Sequence, residues 1–207
     1  MTQVGVIDYG MGNLKSISNA FLYLGINPKV CSEPDQIFAC ERLVIPGVGA
    51  YFSAMRNLDS KKFVKAIQSF AGSGGPLLGI CLGMQLFSSL GTEPRETAGL
   101  NLIPGKVIPL PKDKSCRVPH VGWNNVKVER GHPLFEGIKD NLDWYFVHSY
   151  QFVPSILTDS LAVTDYGVTF HSAISRRNIV GVQFHPEKSQ DHGLCLLNNF
   201  VSWNGRC

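Results

Sequence analysis

Hydrophobic positions in the first half of the chain alternate between short continuous runs and runs with helical spacing. The continuous runs predict four β-strands, at residues 4–7, 29–31, 43–45 and 77–80. The runs with a spacing of three or four residues predict helices in the regions 14–24, 63–70 and 82–90. A glycine follows each of these helical runs. Strands that alternate with helices predict a parallel sheet covered on both faces.

The second half of the chain has a different pattern, with short strands, turn residues between them and no long helical run. The predicted strands are residues 107–108, 126–128, 144–147, 161–163 and 179–184. Leu194, Leu197 and Val201 predict a closing helix. We therefore predict an α/β fold with an open, mixed, mainly parallel sheet flanked by helices, to which the second half adds antiparallel strands. No linker or repeat interrupts residues 1–207, so a single domain is expected.

Composition narrows the classes of function. Of 207 residues, 44% are apolar and 17% charged, which is ordinary for a globular protein. The net charge of +3 comes without any Lys/Arg block, so no nucleic-acid partner is expected. No leader peptide and no apolar run of about 20 residues is recognised, so we expect a cytoplasmic protein without a membrane partner.

The cysteines are scattered, without CxxC or zinc-ligand spacing, which predicts no disulfide framework, no metal site and no cofactor. They are Cys31, Cys40, Cys81, Cys116, Cys195 and Cys207.

One cysteine differs from the others by its flanking residues. Cys81 stands in Gly79-Ile80-Cys81-Leu82-Gly83, between a predicted strand and a predicted helix. A G-x-nucleophile-x-G sequence at such a corner is typical of a strained turn that exposes a nucleophile. A helix N-terminus favours the thiolate, and the N–H of Leu82 is free to face an oxyanion. The alternative is a buried thiol in an apolar strand, which the paired glycines disfavour.

A thiol nucleophile needs a base, and His185 has the most suitable surroundings of the six histidines. It ends a strand and is followed by Pro186 and Glu187. Proline keeps the preceding residue extended, and residues i and i+2 of an extended segment point to one side. Glu187 is therefore predicted to orient His185 while the second ring nitrogen faces the thiol. The alternative is a His-x-Glu on a solvated loop.

Together these motifs resemble those of the triad-type (class I) glutamine amidotransferases. The resemblance is carried by Gly-Ile-Cys-Leu-Gly-Met-Gln at 79–85 and Gln-Phe-His-Pro-Glu-Lys at 183–188, and it covers essentially the whole chain. The segments 8–13, 119–124 and 145–150 further resemble the glutaminase subunits of imidazole glycerol phosphate synthases, which serve histidine biosynthesis.

The resemblance implies an activity, a substrate and a partner. L-glutamine would be hydrolysed through a triad of Cys81, His185 and Glu187, and the ammonia would pass to a barrel-shaped cyclase subunit in a heterodimer. The residues implied for the oxyanion and the substrate are Val48, Gly49, Leu82, Gln85, Ser149 and Tyr150. The residues implied at the partner interface are Asn13, His120, Trp123 and Lys188.

Two other functions remain compatible with these motifs. A related glutaminase could supply ammonia for amidino-sugar synthesis in surface polysaccharides, with the same triad and a different partner. A catalytically silent scaffold could regulate a partner, although the intact cysteine, histidine and glutamate argue against it.

Overall fold

The computed structural model describes residues 3–112 and 117–206, so Cys116 and Cys207 lie outside the described residues. The helices are α1 (Leu14–Tyr23), α2 (Tyr51–Ser60), α3 (Phe63–Gly72), α4 (Leu82–Gln85) and α5 (Gln190–Ser202). The strands of the first half are β1 (Val4–Ile7), β2 (Lys29–Cys31), β3 (Arg42–Gly47), β4 (Leu77–Cys81), β5 (Leu90–Gly91) and β6 (Thr97–Ala98). Those of the second half are β7 (Gly105–Pro109), β8 (His120–Asn125), β9 (Lys127–Val128), β10 (Asp143–His148), β11 (Tyr150–Pro154), β12 (Ser160–Asp165), β13 (Thr169–Arg176) and β14 (Ile179–Val182).

An eight-stranded sheet forms the centre of the fold, in the order β2-β1-β3-β4-β14-β13-β12-β9. The first five strands of this order, from β2 to β14, run parallel to one another. The other three strands continue the sheet in antiparallel pairs. Two smaller sheets, β10-β8 and β11-β7-β5-β6, lie beside it. The prediction of a mainly parallel sheet with antiparallel additions in the second half is confirmed.

Successive residues of a strand point to opposite faces, and this alternation assigns the helices to the two sides of the sheet. Val4 and Val6 of β1 belong to one core cluster together with Phe21 of α1. Ile7 belongs to a second cluster together with Phe63 of α3. Both faces of the central sheet are therefore covered, as expected of parallel strands. No helix in the described part of the chain is long and apolar enough to cross a membrane.

The structure corrects two boundaries of the sequence prediction. The helix that follows Cys81 was expected to run to residue 90, but α4 ends at Gln85. The carbonyl groups of Leu86 and Phe87 accept hydrogen bonds from the N–H groups of Leu100 and Leu102, so the returning chain replaces the next helical turn. The last strand was expected to reach residue 184 but ends at Val182.

Candidate active site

The turn between β4 and α4 has the strained geometry expected of a nucleophile. Cys81 has a φ of 55° and a ψ of −112°, a conformation that L-residues rarely adopt. A Cβ added to Gly83 would lie 1.8 Å from the carbonyl oxygen of Ile45, and one added to Gly79 would lie 2.7 Å from the backbone of Gly83. Both glycines are therefore required by the close approach of α4 to strands β3 and β4.

The predicted base and its orienting residue form a direct pair. His185 Nδ1 lies 2.8 Å from Glu187 Oε1, and the two side chains are only 3% and 4% exposed. His185 is extended, with a φ of −103°, because Pro186 follows it. Its other ring nitrogen, Nε2, is buried and makes no hydrogen bond of ordinary geometry within residues 3–112 and 117–206. That nitrogen is therefore the one available for proton transfer.

The charge state of His185 depends on its two acidic neighbours. Burial by itself lowers the pKa of the imidazole, but the negative charges of a Cys81 thiolate and of Glu187 outweigh burial and raise the pKa to about 10. The two side chains thus stabilise an imidazolium beside the sulfur. A cysteine next to a charged histidine is a common way to activate a thiol.

Besides His185, two polar groups contact the Cys81 sulfur. The carbonyl oxygen of Val147 lies 3.8 Å from Sγ, and the amide nitrogen of Gln183 lies 3.7 Å from it. The side chain of Gln85 holds Gln183 in place from the other side. Its amide nitrogen donates to Gln183 Oε1 at 2.9 Å and to the carbonyl of Tyr150 at 3.1 Å. Both hydrogens of the Gln85 amide are therefore donated to groups of the protein itself.

A pocket of about 230 Å³ opens over Cys81, and all six residues that the resemblance implied for the oxyanion and the substrate line it. They are Val48, Gly49, Leu82, Gln85, Ser149 and Tyr150. Glu93, Pro119, Val147 and His148 complete the wall. The volume is below the range of about 300–1,000 Å³ for drug-sized ligands and suits a small amino acid.

The segment Pro46–Gly49 runs beside the nucleophile because Gly47 at the end of β3 is paired with Cys81 at the end of β4. The hydroxyl of Tyr9 donates to the carbonyl of Pro46 at 2.9 Å. Burial raises the pKa of Tyr9, and the nearby charge of Cys81 raises it further, so the phenol stays protonated as a donor. Gly49 has a φ of +104°, which favours glycine.

Three of the four implied partner contacts lie at the surface. Asn13 caps the N-terminus of α1 and accepts from the N–H of Ser16 at 3.1 Å. Lys188 is exposed, and its Nζ lies 5.1 Å from the ring of Tyr145, which also packs edge-on against the half-exposed Trp123.

His120 lies elsewhere. It is buried beneath the ring of Tyr166 at 3.8 Å between centroids, and its Nδ1 lies 2.9 Å from Nε2 of His148. The side chain predicted to contact the partner is therefore buried within the chain itself.

The sequence reasoning assigned no role to Glu93 or Gln183. Gln183 belongs to the motif at 183–188, and its place two residues before His185 put it on the same side of an extended segment. That signal was available. Glu93 lies in an irregular segment after β5 and reaches the pocket only through the tertiary fold.

A cysteine at a strained strand-to-helix turn, with a His–Glu pair at the carboxyl ends of a parallel sheet, is the arrangement of an enzyme that uses a thiol nucleophile. The family described as glutamine amidotransferase class-I matches residues 5–203. The chain belongs to this family and is a glutamine amidotransferase.

Relatives narrow the assignment further. The imidazole glycerol phosphate synthase subunit HisH of Methanosarcina barkeri is 45% identical over 203 residues, which cover 97% of this chain and 98% of the relative. The subunit of the same name from Moorella thermoacetica is 48% identical over 200 residues, covering 97% and 94%. Within the class-I amidotransferases, the chain thus belongs with the HisH subunits of imidazole glycerol phosphate synthase.

Solved structures agree on the fold. PurLQS from Thermotoga maritima superposes with a TM-score of 0.77 at 15% identity, covering 97% of this chain and 98% of that one. A glutamine amidotransferase from the same organism gives a TM-score of 0.67 at 17% identity, covering 96% and 90%. At these identities the likeness shows the fold alone.

Proposed function

We propose that Cys81, His185 and Glu187 hydrolyse L-glutamine to glutamate and ammonia, and that the ammonia passes to a barrel-shaped cyclase subunit of histidine biosynthesis. The observation that carries the proposal is the buried His185–Glu187 pair, 2.8 Å apart, beside a cysteine in a strained turn that opens into a small pocket. The names of the relatives support histidine biosynthesis and do not favour amidino-sugar synthesis or a silent scaffold.

The proposed reaction uses these groups in two steps. The thiolate of Cys81 attacks the side-chain amide carbon of glutamine. The resulting oxyanion is stabilised by the N–H of Leu82 and by an N–H of the Val48–Gly49 peptide. The imidazolium of His185 donates a proton to the leaving nitrogen, which departs as ammonia and leaves a thioester. His185 then takes a proton from water, the water attacks the thioester, and glutamate is released.

Three polar side chains in the pocket are suited to the amino-acid end of glutamine. Glu93 supplies a carboxylate that can pair with the substrate ammonium. Because the amide nitrogen of Gln85 already donates to Tyr150 and Gln183, its carbonyl oxygen is the atom that would accept from the substrate. Ser149 lines the same wall, and we assign it to the substrate carboxylate.

The partner would contact the exposed side of this site. Trp123, Tyr145 and Lys188 form one surface through their ring and cation–ring contacts. α1, which Asn13 caps, packs against the turn Pro186–Lys188. This surface includes Lys188, directly after Glu187, so a partner that binds here would contact the segment that carries the triad.

Replacement of the nucleophile tests the proposed function. Cys81→Ala should reduce glutaminase kcat by several orders of magnitude while the chain stays folded, because no other group forms the thioester. Cys195→Ala is the matched control, since Cys195 lies on α5 and its sulfur contacts the carbonyl of Glu136. Activity of Cys81→Ala near that of the wild type, or equal losses in both variants, would refute the assignment.

A further inference from the structure

Gln183 is a buried side chain of the site that the proposed mechanism leaves without a role. It directly follows β14 and is fully buried. Its amide nitrogen lies 3.7 Å from Cys81 Sγ, within range of an N–H···S hydrogen bond. We propose that Gln183 is a further catalytic residue, whose amide N–H donates to the Cys81 sulfur and stabilises the thiolate. This inference rests on the proposed role of Cys81 as the nucleophile.

The orientation of the Gln183 amide follows from a backbone carbonyl. The oxygen and nitrogen of a side-chain amide are assigned from hydrogen-bond partners, and a carbonyl can only accept. The atom of Gln85 that lies 3.1 Å from the Tyr150 carbonyl must therefore be its nitrogen. The same nitrogen lies 2.9 Å from the Gln183 amide, which must present its oxygen there. The nitrogen of Gln183 is left to face the sulfur.

The two contacts of the sulfur act differently on its ionisation. The thiol can donate a hydrogen bond to the Val147 carbonyl oxygen at 3.8 Å. A thiolate has no proton to donate, so the partial negative charge of that oxygen disfavours the ionised sulfur. The N–H of Gln183 binds the thiolate more strongly than the thiol, because hydrogen bonds to an ionised acceptor are the stronger ones. Cys81 is only 5% exposed, so water contributes little to solvating the charge. Gln183 therefore offsets the effect of Val147.

If Gln183 had only a structural role, its replacement would have a different effect. A side chain that only satisfies Gln85 would affect stability or substrate affinity but not the pH at which the sulfur becomes reactive. The ionisable groups that act on the sulfur are Tyr9, His185 and, through His185, Glu187, and Glu93, His148 and Tyr150 line the same pocket. None of these residues is changed when Gln183 is replaced, so a change in the pH profile reports on the N–H···S contact.

The test is the rate of alkylation of Cys81 by iodoacetamide as a function of pH, followed on the Cys81 peptide by mass spectrometry. Gln183→Met keeps the length of the side chain and removes the donor. Its profile should move upward by about one pH unit, with alkylation about tenfold slower on the acidic side, and the acidic limb of glutaminase kcat/KM should move with it. Gln68→Met is the control, because it removes an amide donor outside the pocket, one that donates to the Leu100 carbonyl.

Coincident alkylation profiles for Gln183→Met and the wild type would overturn the proposal, even if melting temperature or KM changed. Should Gln183→Met fail to fold, Gln183→Leu serves with the same two outcomes. The alkylation assay needs no glutamine turnover. Its result is therefore separate from that of Cys81→Ala, which tests the glutaminase assignment itself.

Discussion

At the residue scale, the proposed site consists of one nucleophile and one base. In this proposal Cys81 and His185 act as a unit, and Glu187 acts through its 2.8 Å contact with Nδ1 of His185. The loss of rate on replacing one of these residues depends on which catalytic steps the remaining groups can still perform.

We predict that His185→Asn lowers glutaminase kcat about as much as Cys81→Ala, and that Glu187→Gln is milder. The base is needed in both half-reactions, whereas an amide at position 187 can still occupy the orienting position. Steady-state kinetics of the single variants and of the double variant of Cys81 and His185 provide the check. A double variant far worse than either single one would mean that the two residues work independently.

A second prediction concerns the charge of His185. Its folded pKa of about 10 is above the ordinary 6.5, so its stabilising contribution is fully present below pH 6.5 and is lost as the pH rises toward 10. In Cys81→Ala the thiolate is gone, so the folded pKa of His185 should fall, and the loss of stability should be smaller and complete at a lower pH. NMR titration of the imidazole and thermal melts from pH 6.5 to 10 would show this. An unchanged titration, with Cys195→Ala as control, would contradict the charge assignment.

At the scale of elements, the turn between β4 and α4 depends on the distance between α4 and β3. A side chain at Gly83 would collide with the Ile45 carbonyl, so the first turn of α4 packs directly on β3. Because Cys81 comes just before this turn, any shift of α4 away from β3 would also move Cys81. The strain at Cys81 is maintained by this packing.

We predict that Gly83→Ala destabilises the fold by about 3 kcal/mol or more, because its Cβ would lie 1.8 Å from a backbone oxygen. Gly72→Ala is the matched control. At the end of α3 an added Cβ meets nothing within 4 Å, so this change should stabilise by about 0.4–1 kcal/mol. Urea denaturation measures both. Equal midpoints for the two variants would show that the close approach at Gly83 does not support the turn.

At the scale of the whole molecule, the pocket and the surface proposed for the partner lie close together. Asn13, Trp123 and Lys188 belong to elements that pack against or lead into the segment carrying His185 and Glu187. Binding at that surface can therefore shift the populations of two arrangements of the site, provided the partner favours one of them.

We predict that the free chain is nearly inactive and that the ligand-loaded complex with the cyclase is active. Hydrolysis without an acceptor wastes glutamine, and glycines 47 and 49 allow the peptide beside the pocket to rotate. In the free chain a carbonyl would face the oxyanion site, and partner contacts would turn an N–H toward it. One such donor contributes about 3–4 kcal/mol, or roughly 10²–10³ in rate. Equal kcat for the free chain and the loaded complex would rule this out, and a tight turn would then be the only role of the segment.

Parts of the molecule followed from local pattern and chemistry. The spacing of apolar residues predicted β1 to β4, α1, α3 and α5, because a buried strand or a helix with one apolar face imposes its own period. The glycines around Cys81 and the His-Pro-Glu segment predicted the strained turn and the orienting pair, since both depend on backbone limits of adjacent residues.

Some elements escaped prediction although their pattern was present. Tyr51, Ala54, Met55 and Leu58 have helical spacing, but they directly follow a glycine-rich turn and are interrupted by polar residues, so α2 was missed. Strands β8, β11 and β13 were missed because their half-buried sequences mix polar and aromatic residues. Their pairing partners, rather than their own propensity, determine that they are strands.

Only the tertiary structure decided the composition of the pocket and the limits of α4. Glu93 and Val147 are far from Cys81 in sequence and line its pocket only because the fold brings their segments together. α4 stops where carbonyls of residues 86–88 find donors in residues 100–103, which no local pattern encodes. The sequence thus determined the proposed nucleophile, its proposed base and the alternation of elements, because these depend on neighbouring residues. The groups that tune the sulfur depend on long-range packing, and so they emerged only from the fold.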